Sequence, residues 1–131
     1  MFSPNKEPKI YIVIINWNGY VDTYECVESL QKISYKNFEI VIVDNGSDTK
    51  DVLKLEDKFE KVIVISNNNN LGFSGGNNIG INYALKQNSD FILLLNNDMI
   101  PAKIALSPIV SVPYHPKIQI FITSFCSLHI A

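Results

Sequence analysis

Apolar residues fall into separated runs along this chain, and three of those runs end alike. Tyr11-Ile12-Val13-Ile14-Ile15 stops on Asn16-Trp17-Asn18-Gly19, Ile40-Val41-Ile42-Val43 on Asp44-Asn45-Gly46-Ser47, and Phe91-Ile92-Leu93-Leu94-Leu95 on Asn96-Asn97-Asp98. An unbroken apolar run predicts a strand buried on both faces, and only its carboxyl end reaches water. Between the runs the period lengthens. Tyr20, Tyr24, Val27 and Leu30 fall three or four apart and predict a helix after Gly19, with Asp22 and Glu25 suited to the positive end of its dipole. A second helix is predicted through Val52, Leu55 and Phe59, capped by Ser47 or Asp48. A short strand over Val62–Ile65 follows. A Gly/Asn run from Asn67 to Gly80 then leads into a helix through Tyr83, Ala84 and Leu85. The order β-α-β-α-β-α-β with short connections predicts an α/β fold: an open, mostly parallel sheet with flanking helices and right-handed crossovers. Sheets of this Rossmann-like kind bind ligands in the crevice beyond their carboxyl ends.

Length and composition narrow the picture. The 131 residues, 47% of them hydrophobic and 18% charged, make one domain with a packed core. Residues 1–8 read as a tail and 9–101 as the body. Residues 102–131 diverge: Pro108, Pro113 and Pro116 break any long helix, and Ile118–Ile122 predicts one further strand. A net charge of −2 speaks against nucleic acid as a partner. Cys26 and Cys126 lack metal-type spacing and read as buried free thiols of a cytoplasmic chain. The first eight residues carry no apolar signal-peptide core, and no apolar stretch is long enough to span a bilayer. The apolar segment from Ile118 to Ile130 reads as core, with contact at a membrane surface as the alternative.

Candidate chemistry concentrates at the strand tips and in the Gly/Asn run. Glycines let backbone approach a ligand, amides at a helix start attract phosphate, and asparagine side chains suit ribose hydroxyls and phosphate oxygens. The run lacks the G-x-G-x-x-G spacing of dinucleotide sites and follows the third strand; no P-loop exists anywhere. A dinucleotide oxidoreductase therefore rests on the β-α-β order alone. Asp44 either accepts hydrogen bonds from a base or ribose or caps its own turn. Asp98 either holds a hard divalent cation such as Mg²⁺ or caps the turn before Pro101. Trp17 is expected to pack on the sheet edge, stacking on a base being the alternative. His115 and His129 are isolated.

Four segments in order resemble glycosyltransferase family 2, the inverting nucleotide-sugar transferases of GT-A fold, and most closely its rhamnosyltransferase-like branch. They are Val13-Ile14-Ile15-Asn16-Trp17-Asn18-Gly19, Ile42-Val43-Asp44-Asn45-Gly46-Ser47-Asp48, Asn70-Leu71-Gly72-Phe73-Ser74-Gly75-Gly76-Asn77-Asn78-Ile79-Gly80, and Leu94-Leu95-Asn96-Asn97-Asp98, the last a variant of the D-x-D motif with Asn96 first. The resemblance covers roughly residues 9 to 101. It implies a dTDP- or UDP-sugar donor, with Asn16 and Asn18 lining the nucleoside pocket and Asp44, beside Asn45, binding base or ribose. Gly72, Asn77 and Asn78 would border the nucleotide and sugar. Asp98, beside Asn96, would hold Mn²⁺ or Mg²⁺ against the diphosphate. It further implies inverting hexosyl or rhamnosyl transfer to a glycan acceptor, in pathways that build cell-surface polysaccharide, on the cytoplasmic side and at most peripheral to the membrane's inner face. Two features depart from the pattern. Relatives are normally much longer, and no Asp or Glu follows Asp98, where the family's catalytic base comes from. The chain thus reads as the nucleotide-binding half of a truncated member with no catalytic base assigned; the alternative is a non-catalytic nucleotide-sugar-binding or partner-dependent module.

Overall fold

The computed structural model describes residues 7–48 and 50–98, together with the backbone of a strand over 119–123. Chain order is β1 (Ile10–Asn16), α1 (Tyr20–Gln31), β2 (Phe38–Asp44), α2 (Asp51–Lys58), β3 (Ile63–Ser66), α3 (Gly72–Lys86), β4 (Phe91–Asn96) and β5 (Gln119–Thr123). The sheet order is β3-β2-β1-β4-β5, and every neighbouring pair is parallel. The strand expected near residues 118–122 is therefore present, as β5 beside β4.

Alternation along the strands divides the core in two. Ile10, Ile12 and Ile14 of β1, with Ile40 and Ile42 of β2 and Leu93 of β4, pack beneath α1 and α2 against Cys26, Val27, Leu30, Leu55 and Phe59. Tyr11 and Val13, with Val41, Val43, Ile92 and Leu94, face α3 through Ile79, Tyr83 and Ala84. Both faces of β1 are covered, which is why its sequence shows no alternation of polar and apolar residues. Each fully buried Ile, Leu or Val side chain stabilises the fold by roughly 1.5–3 kcal/mol.

Two sequence expectations change. Helix α2 begins at Asp51 without a side-chain cap. The cap position falls on Lys50, so Ser47 and Asp48 lie ahead of it; the Ser47 hydroxyl and backbone N–H instead donate to Asp44 and the Asp48 backbone N–H to Asn18. The Gly/Asn run is largely helix: α3 starts at Gly72, well before the apolar residues that announced it. Intrinsic propensity argues against a helix here, but packing requires these residues. A Cβ on Gly80 would lie 2.3 Å from Val13 Cγ1, and one on Gly76 3.0 Å from Ile15 Cδ1. Two glycines one turn apart let α3 sit directly on β1. Seating the helix this way carries its amino end to the carboxyl edge of the sheet.

Candidate functional site

Strand register sets the site. Asn16 pairs with Asp44, Ile15 with Asn96, and Asp44 with Ser66, so the polar tips of β1, β2, β3 and β4 end on one edge. The chain turns there from β2 and β3 on one side of β1 to β4 on the other, the position at which open parallel sheets present a crevice.

The nearer layer of this edge is a closed hydrogen-bond network. Asn16 is fully buried; its Nδ2 donates to Asp44 Oδ1 at 2.8 Å and to Asp51 Oδ2 at 3.0 Å, with Ser47 Oγ at 3.3 Å. Its Oδ1 accepts from Thr23 Oγ1 at 2.7 Å, and that hydroxyl accepts from Asn97 Nδ2 at 3.0 Å. Asp44 is also buried; Oδ1 accepts from Ser47 Oγ at 2.6 Å and Oδ2 from the Ser47 backbone N–H at 3.0 Å. Asp44 thus does the turn-capping task that the sequence left open, and Asn16 lies beneath the surface, supporting the tips from below.

Asn45 performs a second buried task. Its Nδ2 donates to Asn70 Oδ1 at 3.0 Å and to the Gly72 carbonyl at 3.1 Å, while its Oδ1 accepts from Leu71 N at 3.0 Å and Asn67 Nδ2 at 3.2 Å. The asparagine run is therefore stapled to the tip of β2. Gly46 makes the approach feasible: its φ is +79°, and a Cβ there would lie 2.7 Å from the Asn69 carbonyl carbon. Gly72 also has positive φ, but open space surrounds it at the start of α3.

The remaining candidates lie outside these two networks. Asn18 sits at φ 50° in the β1–α1 turn, exposed, its backbone N–H bonded to Ser47 Oγ and its Oδ1 to the Asp48 N–H. Asn78 and Asp98 are exposed, and Asn96 is half-buried. Asn77 is buried in the first turns of α3, and its Nδ2 has no hydrogen-bond partner among the described residues. A buried amide without a partner is costly unless something supplies an acceptor. Trp17, expected to pack, is 55% exposed just past the end of β1. Among the predicted residues, the edge unites Asn16, Asn18, Asp44 and Asn45 around the β2 tip, with Asn96 and Asp98 on the β4 side. Thr23, Ser47, Asp51 and Asn97 belong to the same network and were not singled out. A buried Thr on a helix, or an Asp at a helix start, gives no signal by spacing alone.

Two hollows flank the start of α1. One, of about 340 Å³, is lined by Asn18, Gly19, Tyr20, Val21, Asp22, Asp51 and Lys54. The other, of about 250 Å³, runs on along α1 and is lined by Asp22, Glu25, Glu28, Ser29, Lys32, Asn97 and Asp98. No group of three or more His, Cys, Asp or Glu side chains converges as a metal cage among the described residues. An exposed aspartate among oxygen donors nevertheless fits a hard divalent cation that takes its remaining ligands from phosphate and water. Burial above all and secondarily the Asp98 charge push the Cys26 thiol up to about 12, so it is protonated near neutral pH. Cys126, His115 and His129 lie outside the described residues.

A three-layer α/β domain with polar tips gathered at its switch point places the chain among the open, doubly wound parallel sheets. The glycosyl transferase family 2 profile matches residues 11–125, and the chain belongs to that family. It is 32% identical over 89 residues to the low-salt glycan biosynthesis hexosyltransferase Agl10 of Haloferax volcanii, an alignment covering 67% of this chain and 27% of that protein. It also resembles S. aureus TarS 1-349 in complex with UDP, with TM-score 0.54 and 28% identity over 69% of this chain and 27% of that one. The mannosyltransferase PcManGT from Pyrobaculum calidifontis, in complex with GDP-Man and Mn²⁺, shares the fold, with TM-score 0.56 and 16% identity over 72% of this chain and 29% of the other. The chain spans little more than a quarter of each of these proteins. The family match and these neighbours give the chain the GT-A type of fold.

Proposed function

We propose that this chain binds the nucleoside diphosphate of a sugar donor at the carboxyl edge of its sheet, as the donor-binding part of an inverting glycosyltransferase. The observation that carries the reading is the convergence of the β1, β2 and β4 tips with the start of α3 on one edge. The likeness to a UDP complex favours a UDP- or dTDP-sugar, and the motif pattern favours hexosyl or rhamnosyl donors of the rhamnosyltransferase-like branch. Asn18 and the β2 tip would meet the nucleoside. The Asp44 carboxylate is fixed by Asn16 and Ser47, so it would accept a further hydrogen bond from base or ribose without having to reorient. Asn77, whose Nδ2 lacks an acceptor, and Asn78 would face the diphosphate and sugar from α3. Asp98, with Asn96 behind it, would hold Mn²⁺ or Mg²⁺; when bound, the cation supplies Lewis acidity at the departing diphosphate.

No Asp or Glu follows Asp98, so the chain offers no carboxylate there to deprotonate an acceptor hydroxyl. The reading is donor binding. Work on a glycan acceptor for cell-surface polysaccharide, at the inner face of a membrane, belongs to the same proposal. Among the described residues no helix is long and apolar enough to cross a membrane.

Calorimetric titration of UDP and dTDP, with and without Mn²⁺, tests the site. Mn²⁺ should tighten binding, and Asp98→Ala should abolish that gain while leaving the fold intact. Metal-independent binding would remove Asp98 from the metal role. An absence of binding to the folded chain would remove the donor site itself. Transfer from a radiolabelled donor to a panel of acceptors then separates an active enzyme from a binding module.

A further inference from the structure

We infer that Thr23 is a positioning residue that ties the Asp98-bearing tip of β4 to the Asp44-bearing tip of β2, so that metal and nucleoside contacts are set at a fixed separation. The inference rests on the donor-site reading above and adds to it a residue of α1 that touches neither ligand.

The chemistry of the relay fixes its direction. An amide nitrogen only donates, so Asn97 Nδ2 donates a hydrogen bond to Thr23 Oγ1, whose own O–H donates to Asn16 Oδ1. With Oδ1 so engaged, Asn16 turns Nδ2 toward Asp44 and Asp51. Asn97, Thr23 and Asn16 thus form one chain of donors pointing the same way and ending on the Asp44 and Asp51 carboxylates, which accept. Thr23 and Asn16 are fully buried, so water does not substitute for either. Pairing of β4 with β1 ends at Asn96, and just past it Asn97 is anchored to α1 through its side-chain amide while adjacent Asp98 stays exposed.

A glycine makes the crossing feasible. Gly19 has φ −126°, a value any residue adopts, yet a Cβ there would lie 2.9 Å from Asn97 Nδ2. Gly19→Ala therefore displaces the Asn97 amide without altering Thr23, Asn16 or either carboxylate. Thr23→Val removes both relay hydrogen bonds at nearly constant shape, and Thr23→Ser keeps them.

The test uses the full chain and UDP, read as the ratio of affinities with and without Mn²⁺. Loss of the tie should lower that ratio roughly tenfold in Thr23→Val and in Gly19→Ala, the scale of one or two hydrogen bonds. Thr23→Ser should retain it, and Thr23→Val should add nothing on an Asp98→Ala background, because the two act through one group. Should Thr23→Val fail to fold, Gly19→Ala carries the same measurement. An unchanged ratio in folded Gly19→Ala, or equal losses with and without Mn²⁺, overturns the positioning role while leaving the donor site standing. An unmodified chain that shows no Mn²⁺-dependent UDP binding overturns the donor site and the coupling together.

Discussion

Asparagine does two different jobs at this site. Asn16 and Asn45 are buried, and their amide oxygens and nitrogens all work inside the protein, one joining strand tips and one stapling the 67–72 segment. Asn18 and Asn78 are exposed, and the Asn77 Nδ2 has no partner among the described residues, so the proposed donor site draws on these three. Asn45→Ala should therefore act first on order around Leu71. Its backbone N–H loses an acceptor and the Gly72 carbonyl a donor, so the Leu71 amide should exchange with deuterium markedly faster, with a loss of about 1–3 kcal/mol in urea unfolding. Unchanged exchange at Leu71 would mean the staple is dispensable. From sequence alone, a polar residue at a strand tip reads as facing the crevice. The inward pointing of Asn16 depends on Thr23, seven residues on across the β1–α1 turn, and on Asp51, 35 residues away, which becomes a neighbour only through the fold.

At the scale of elements, the strands were legible and the start of α3 was not. Apolar runs located β1, β2 and β4 because burial on both faces leaves no other pattern. Gly72 to Gly80 has poor helix propensity, and its helical state is dictated by contact with β1, which a local reading does not see. The glycines of that segment serve packing at 76 and 80, and only Gly72 borders open space. Gly80→Ala should make this visible. The gain in propensity is up to about 1 kcal/mol, whereas forcing a methyl against Val13 costs typically 1–3 kcal/mol. Net destabilisation in denaturant is expected, accompanied by a shift of α3 along the sheet. A stabilised Gly80→Ala protein would show that α3 and β1 are not in close contact.

For the whole molecule, the ionisable groups inside the fold set an alkaline limit. Burial raises Cys26 from an ordinary 9.0 to about 12. Burial, aided by Glu39, raises Tyr11 from 10.0 to about 12, and burial, aided by Glu7 and Asp90, does the same for Tyr35. Each group holds its proton more tightly folded than unfolded. Its contribution to stability is therefore complete below pH 9 for the thiol and pH 10 for the phenols, and is lost as pH rises toward about 12. Thermal midpoints should fall steadily above pH 9, and in a Cys126→Ser variant Cys26 should resist thiol reagents until the chain unfolds. Rapid labelling of native Cys26 at pH 8 would contradict its burial.

The central position of β1 also governs timing. It precedes the other described strands in chain order, yet one of its two neighbours is β4, just ahead of which the Asp90 carboxylate accepts from the Lys9 backbone N–H 81 residues away. Closing such a long loop is slow and entropically costly. During synthesis β1 and β2 can meet early, but the far edge of β1 waits, uncovered, until Phe91–Asn96 has left the ribosome. Speed of docking by that one late strand, rather than the strength of the finished core, decides how long Tyr11–Ile15 stays available to the wrong partner.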